Sequence, residues 1–272
     1  MFINNWKKKY LNKVTLIMKK CSLCLQEKKL IKAHIIPDFM YSGMKNEDDK
    51  NIFYEVTYNL DNNQSKSIKI QTGDFDKNIL CEDCDNRIIG ANYEKYAQTS
   101  MYGKNIDPEI KPDCKNYINP NDGAEYSICT NIDYSKMKLF LLSVLWRASI
   151  TDRPAFRDVD LGKKHEERLR KLIYKNIVPA ETEYPIMMTS FLRTDHSLEN
   201  LIGQPQRVRF KDGLNGYVFL IDSFQFIFYV NSTDHKLPEY LERTMLRQKG
   251  EMTILHLPNG KELEFLKKIL NK

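Results

Sequence analysis

The sequence predicts an α+β protein: a small cysteine-stapled unit followed by a larger helix-plus-antiparallel-sheet unit with its own core. Three observations predict it. Two Cys-x-x-Cys pairs, Cys21/Cys24 and Cys81/Cys84, bracket a polar first third. An apolar run with helical period over 133–150 opens a part of different texture. Short strand-like runs separated by turn residues then fill most of the remainder. With 272 residues, 42% hydrophobic and 29% charged, the chain can build one large core or two modest ones.

Taken in order, residues 1–17 read as a disordered leader ahead of Met18. They are basic but lack a continuous apolar stretch and a small-residue cleavage site, so they do not form a signal peptide. Residues 18–105 form the cysteine unit. Within it, 52–58 and 66–71 alternate like the strands of an elaborated hairpin inserted between the cysteine pairs. The stretch 106–132 carries Pro108, Pro112, Pro120 and Gly123 without helical period, so it reads as a loop-rich linker. Residues 133–272 form the second unit. In 133–150, Met137, Phe140, Leu141, Val144, Leu145 and Ala148 make the inner face of an amphipathic helix, with Trp146-Arg147 read as packing. A more exposed helix is expected over 162–176. "YPIMMTSFL", "QRVRF", "GYVFLI", "FQFIFYV" and "MTILHL" read as an antiparallel meander, and "GKELEFLKKIL" as a closing helix.

Composition excludes some classes. No apolar run approaches the roughly 18 residues of a membrane span, and mean hydropathy is −0.54. The nearest candidate, 216–230, is broken by Asp222, Ser223 and Gln225, which read as a hairpin turn. The net charge of +6 permits nucleic-acid binding, but the basic residues are dispersed, so charge is weak support. No export signal is visible, which points to the reducing cytoplasm, where close cysteine pairs favour metal over disulfide.

Two residues between thiolates let one tight turn aim both sulfurs at one ion. Two such turns complete a tetrahedral site, so Cys21, Cys24, Cys81 and Cys84 are expected to hold one structural Zn2+. Cys114 and Cys129 lack the spacing and read as ordinary thiols.

His34 is the other marked residue, heading the apolar run "AHIIP" between the cysteine pairs. With "CDNRIIGANYEKYA" as a helix after the second pair, the order is knuckle, strand, hairpin, knuckle, helix. Residues 18–100 thereby resemble the zinc-bearing branch of the HNH, or ββα-metal, endonucleases, whose metal-binding core is treble-clef-like. The resemblance implies that His34 is the general base and that Asp85, just after the last zinc cysteine, holds a Mg2+ or Mn2+ ion. It implies hydrolysis of DNA, or RNA, and a role in defence against foreign DNA. The second unit would then serve specificity or bind an oligomeric or activating partner.

One departure bears on this. The family places a metal ligand before the histidine, and this chain has Ala33. Asp38 or Glu94 would have to supply a further carboxylate. On a continuous α-helix, Asp85 and Glu94, nine residues apart, face opposite sides, whereas Arg87, Gly90 and Glu94 share one. Other readings stay open: His34 as a strand anchor, Asp85 as a helix cap, and Glu94 paired with a basic neighbour. His165, His196, His235 and His256 read as surface or core histidines. The alternative function is a catalytically inactive, zinc-stabilised module that binds nucleic acid or a partner protein.

Overall fold

Short polar turns and two-residue strands build the first part of the chain. The computed structural model describes residues 18–45, 52–59, 64–102, 106–230 and 236–270; the expected leader and His235 lie outside them. β1 (Lys19–Lys20) pairs antiparallel with β2 (Glu27–Lys28), and the first cysteine pair sits in the turn between them. β3 (Ala33–His34) leads into a 3-10 turn (Asp38–Met44). β4 (Phe53–Asn59) and β5 (Gln64–Ile70) form the expected hairpin. β6 (Phe75–Asp76) pairs antiparallel with β3, so that His34 lies opposite Phe75. A π-helix (Asp83–Glu94) then runs directly into α1 (Lys95–Ser100).

The rest is a seven-stranded sheet with helices. β7 (Asp113–Ile118), β8 (Glu125–Thr130), α2 (Tyr134–Ile150) and α3 (Gly162–Lys175) come first. β9 (Ile186–Ser190), β10 (Gln206–Arg209), β11 (Asn215–Ile221) and β12 (Phe224–Tyr229) follow. α4 (Glu239–Thr244), β13 (Met252–His256) and α5 (Lys261–Leu270) close the chain. The strand order is β10-β11-β12-β9-β13-β8-β7. β11 and β12 turn at Asp222 and Ser223, both with positive φ, as a two-residue hairpin requires. The expected meander is interrupted: the chain returns through α4 to lay β13 parallel to β9.

Both faces of the sheet centre are covered, which is why β11 and β12 read as nearly unbroken apolar runs. Phe219, Ile221, Phe226 and Phe228 face Leu141 and Val144 of α2. Val218, Ile227 and Tyr229 join Leu241, Met245 and Phe265 on the opposite side. α2 is capped by Asp133, whose carboxylate accepts from the Lys136 amide at 3.0 Å. It was expected to bury one face. It buries nearly all of its length instead, because the cysteine unit and α3 cover what the sheet leaves open. Its buried polar groups find partners: Lys138 Nζ donates to the Tyr184 carbonyl at 2.7 Å, and Ser143 Oγ to the Phe140 carbonyl at 2.7 Å.

Three expectations are corrected here. The 106–132 stretch is more than a loop-rich linker, since it supplies β7 and β8 at one edge of the sheet. Its helix-breakers lie outside the strands, with Pro120 and Gly123 in the hairpin turn, and β7 reads as polar because it is an exposed edge. Cys114 and Cys129 are joined as a disulfide, because the β7–β8 register sets them directly opposite each other. A separation of 15 residues carries no such signal by itself. One buried cluster also runs from Cys21 and Ile35 through Phe140 and Trp146 to Phe228, so the two units share a core where separate ones were expected. The short strands of the first unit cannot enclose Ile35, Ile36, Ile88 and Ile89 alone, and α2 completes their burial.

Candidate functional site

The four cysteines converge as their spacing requires. The Sγ atoms of Cys21, Cys24, Cys81 and Cys84 lie within 4.8 Å of one another. Cys24 Sγ and Cys81 Sγ are 4.0 Å apart, close to the ~3.8 Å between thiolates bound at ~2.3 Å around one tetrahedral ion. Backbone geometry builds the cluster. Leu25 takes a left-handed φ of 61° as the first turn closes, and the Cys81 amide points at Cys21 Sγ at 3.4 Å. The second turn starts the π-helix, with the Asp85 amide bonded to the Cys81 carbonyl. Cys21, Cys81 and Cys84 are buried, and hydrogen bonding from Cys84 pulls the Cys21 thiol below its ordinary range against the effect of burial. The donor set and its compactness fit a structural zinc site.

A cavity of about 350 Å³ opens nearby, lined by His34, Asp38, Phe39, Asp85, Asn86, Glu94, Gln98 and Arg147. His34, Asp85 and Glu94 therefore meet in one place. For Asp85 and Glu94 this reverses the α-helical expectation, and the cause is helix type. A π-helix bonds i to i+5 and takes about 4.4 residues per turn, so nine residues make close to two full turns. The two carboxylates return to the same side. The Lys95 amide bonds to the Gly90 carbonyl in this i→i+5 pattern. Gly90 serves the widened turn: a Cβ there would come within 3.1 Å of the Asp85 carbonyl. Arg87 does not share the Glu94 face. It is exposed and pairs with Asp83 at 2.6 Å.

His34 keeps 27% of its side-chain surface exposed. Its Nε2 lies 2.9 Å from Thr72 Oγ1 and 3.8 Å from Asp38 Oδ1. Burial, with Lys32 and Arg147 adding to it, holds the imidazole below its ordinary pKa, while Asp38 and Glu94 oppose the shift. Burial raises Asp85 to about 6; Glu94 adds to the shift and Arg147 opposes it. Asp38 is bound by Lys45 at 2.6 Å through one oxygen, and its other oxygen is shielded without a hydrogen-bond partner among the described residues.

Arg147 organises the cavity wall. It is 1% exposed. Its Nη1 donates to the His34 carbonyl at 2.7 Å, its Nε to the Ser143 carbonyl at 3.2 Å, and its Nη2 lies 2.8 Å from Glu94 Oε1. Its expected role as packing alone is incomplete, for it ties β3, the π-helix and α2 together. A charged residue inside an otherwise apolar helical face was the available signal. Asn86 and Gln98, which line the cavity, and Thr72, which bonds His34, carried none, because nothing in a polar loop or helix surface marks such residues.

Among the described residues, only the four cysteines bring three or more His, Cys, Asp or Glu ligand atoms together closely enough for an ion. Asp38, Asp85 and Glu94 share the cavity without converging. His165 Nδ1 sits 2.9 Å from the Tyr184 hydroxyl. The ring nitrogens of His256 each lie 2.7 Å from a serine hydroxyl, Ser127 at Nε2 and Ser190 at Nδ1. No helix among the described residues is long and apolar enough to cross a membrane.

No family model, curated protein or solved structure matches the chain. The functional reading rests on the site itself.

Proposed function

We propose that the chain is a metal-dependent HNH-like endonuclease that hydrolyses DNA, with His34 as general base. One observation carries the proposal: the His34 imidazole and two acidic side chains from a distant helix line the same polar cavity beside a four-cysteine cluster. The order also supports it, since the antiparallel β3–β6 pair precedes a helix that begins at the last cysteine pair.

His34 would take a proton from a water in the cavity, and Thr72 holds the ring through Nε2. Arg147 fixes the strand carbonyl and so the position of the imidazole. Asp85 would hold Mg2+ or Mn2+, with Asn86, Glu94 or Asp38 as further oxygen donors, in keeping with the hard-ligand preference of these ions. Such an ion stabilises negative charge on the leaving oxygen. The donors line one wall but must close in to bind it.

A second reading has its own support. Arg147 already pairs with Glu94 and Lys45 with Asp38, and Ala33 offers no ligand. A zinc-stabilised module that binds nucleic acid or a protein without cutting would have these features. Supercoiled plasmid distinguishes the two. The nuclease nicks it only with added Mg2+ or Mn2+, and Asp85→Asn loses the cutting while it keeps its zinc. Nicking that needs no added ion, or that survives Asp85→Asn, contradicts the proposed ligand.

A further inference from the structure

We infer that Lys19, Lys77 and Lys32 form a cationic band that leads to His34 and holds the phosphates flanking the reacting one. The identity of the ligand rests on the nuclease reading; the band itself rests on geometry. Lys32 Nζ lies 3.9 Å from the centre of the Phe75 ring and 3.4 Å from Thr72 Oγ1. That is the hydroxyl bonded to His34, so the ammonium and the imidazole flank one side chain. Lys77 Nζ lies 5.8 Å from the same Phe75 ring, and the His34 and Phe75 ring centres are 6.4 Å apart. Lys19 Nζ reaches Asn78 Oδ1, next to Lys77, at 2.7 Å.

All three lysines are exposed, and none pairs with a carboxylate among the described residues. The nearby carboxylates are engaged elsewhere. Asp74 pairs with Arg153 at 3.1 Å, and Asp76 accepts from Thr151 Oγ1 at 2.8 Å and from the Asn78 amide at 2.7 Å. This is unlike α3, where Arg170 and Lys171 share Glu167. Within the band, Lys19 also stands directly opposite Lys28 across the β1–β2 pair. Like charges in that position destabilise a ribbon, and a bound polyanion removes the repulsion.

A phosphodiester backbone fits this arrangement better than a membrane surface, because the band ends at the His34 cavity. Lysines supply phosphate contacts that position a strand without reading its sequence.

The test is binding of a short fluorescent DNA duplex by zinc-loaded protein without added divalent ion, over a series of salt concentrations. Each phosphate contact contributes about 0.9 to the slope of log affinity against log salt, so Lys19→Gln/Lys32→Gln/Lys77→Gln should lower the slope by about 2–3. Affinity at low salt should fall at least about tenfold, with zinc content unchanged and melting not lowered. Arg209→Gln/Lys211→Gln, at the far edge of the sheet, should change neither. An unchanged slope in the triple variant overturns the band. So does a wild-type protein that ignores DNA, or one that binds anionic phosphatidylserine vesicles instead. Wild type that binds through these lysines but never cuts would leave the band standing and remove the nuclease reading. Cutting and binding that survive the triple variant would do the reverse.

Discussion

The cysteine unit and the sheet unit are held by different forces. In the first, β1, β2, β3 and β6 are two residues each and occur only in two-stranded pairs. Such pairs are marginal in water. What fixes them is the cysteine cluster and the flank of α2. In the second, the central strands β9, β11 and β12 of a seven-stranded sheet bury apolar rows on both faces. The candidate site lies on the seam, where Arg147 from the sheet unit's helix grips His34 and Glu94 of the cysteine unit. The candidate site residues His34, Asp85 and Glu94 thus sit on the part that cannot support itself, positioned by the part that can.

Zinc removal should separate the two regions most sharply. Structural zinc contributes on the order of 10–16 kcal/mol in small sites. Chelation, or Cys81→Ser, should therefore remove hydrogen-exchange protection from β1, β2, β3, β6 and the π-helix while β9, β11 and β12 stay protected. Loss of protection in both regions together would mean that the shared core makes them one cooperative unit. The next largest effect is expected at the seam. Arg147→Leu should cost about 3–5 kcal/mol in urea unfolding, because Glu94 and the His34 carbonyl lose their partner. A change well below that would show that the clamp is dispensable.

Much of the sheet unit was legible in the sequence because periodicity reports burial. The α2 and α3 ranges, the β11–β12 turn and the closing helix follow from apolar spacing and turn residues. β7 was hidden because an exposed edge strand shows little apolar alternation, and β8, its inner neighbour, because its buried positions hold Ser127 and Cys129. At the site, the cysteine cluster was legible because its spacing is a geometric requirement. The meeting of Asp85 with Glu94 was not, because residue spacing alone does not announce a π-helix. Arg147 was visible but ambiguous: a cation in an apolar helix face must have a partner, and the sequence does not name it.

Two smaller effects belong to the sheet unit alone. Cys114→Ser/Cys129→Ser should lower stability by about 3 kcal/mol at most, the scale for closing a loop of this length. It should leave zinc content unchanged; a loss of zinc would link the sheet edge to the metal site. Smaller still is the titration of His256. Burial lowers its pKa, with Arg193 adding and Glu125 opposing. With its folded pKa below the unfolded value, its contribution is fully present above about pH 6.5 and is lost as pH falls toward the depressed value. His256→Gln should flatten the stability profile between about pH 7 and 5, and an unaltered profile would assign the acid sensitivity elsewhere.

Whether His34 works as a base in the cavity framed by the cysteine unit is decided by His34→Ala. Nicking of supercoiled plasmid with Mn2+ should fall about 10²–10⁴-fold, the usual contribution of general-base catalysis. Zinc content and urea midpoint, measured on the same sample, should stay close to wild type. If the variant instead cuts as fast as wild type, or keeps its rate while losing about 1–3 kcal/mol of stability, His34 is a strand anchor and the account of the site is wrong.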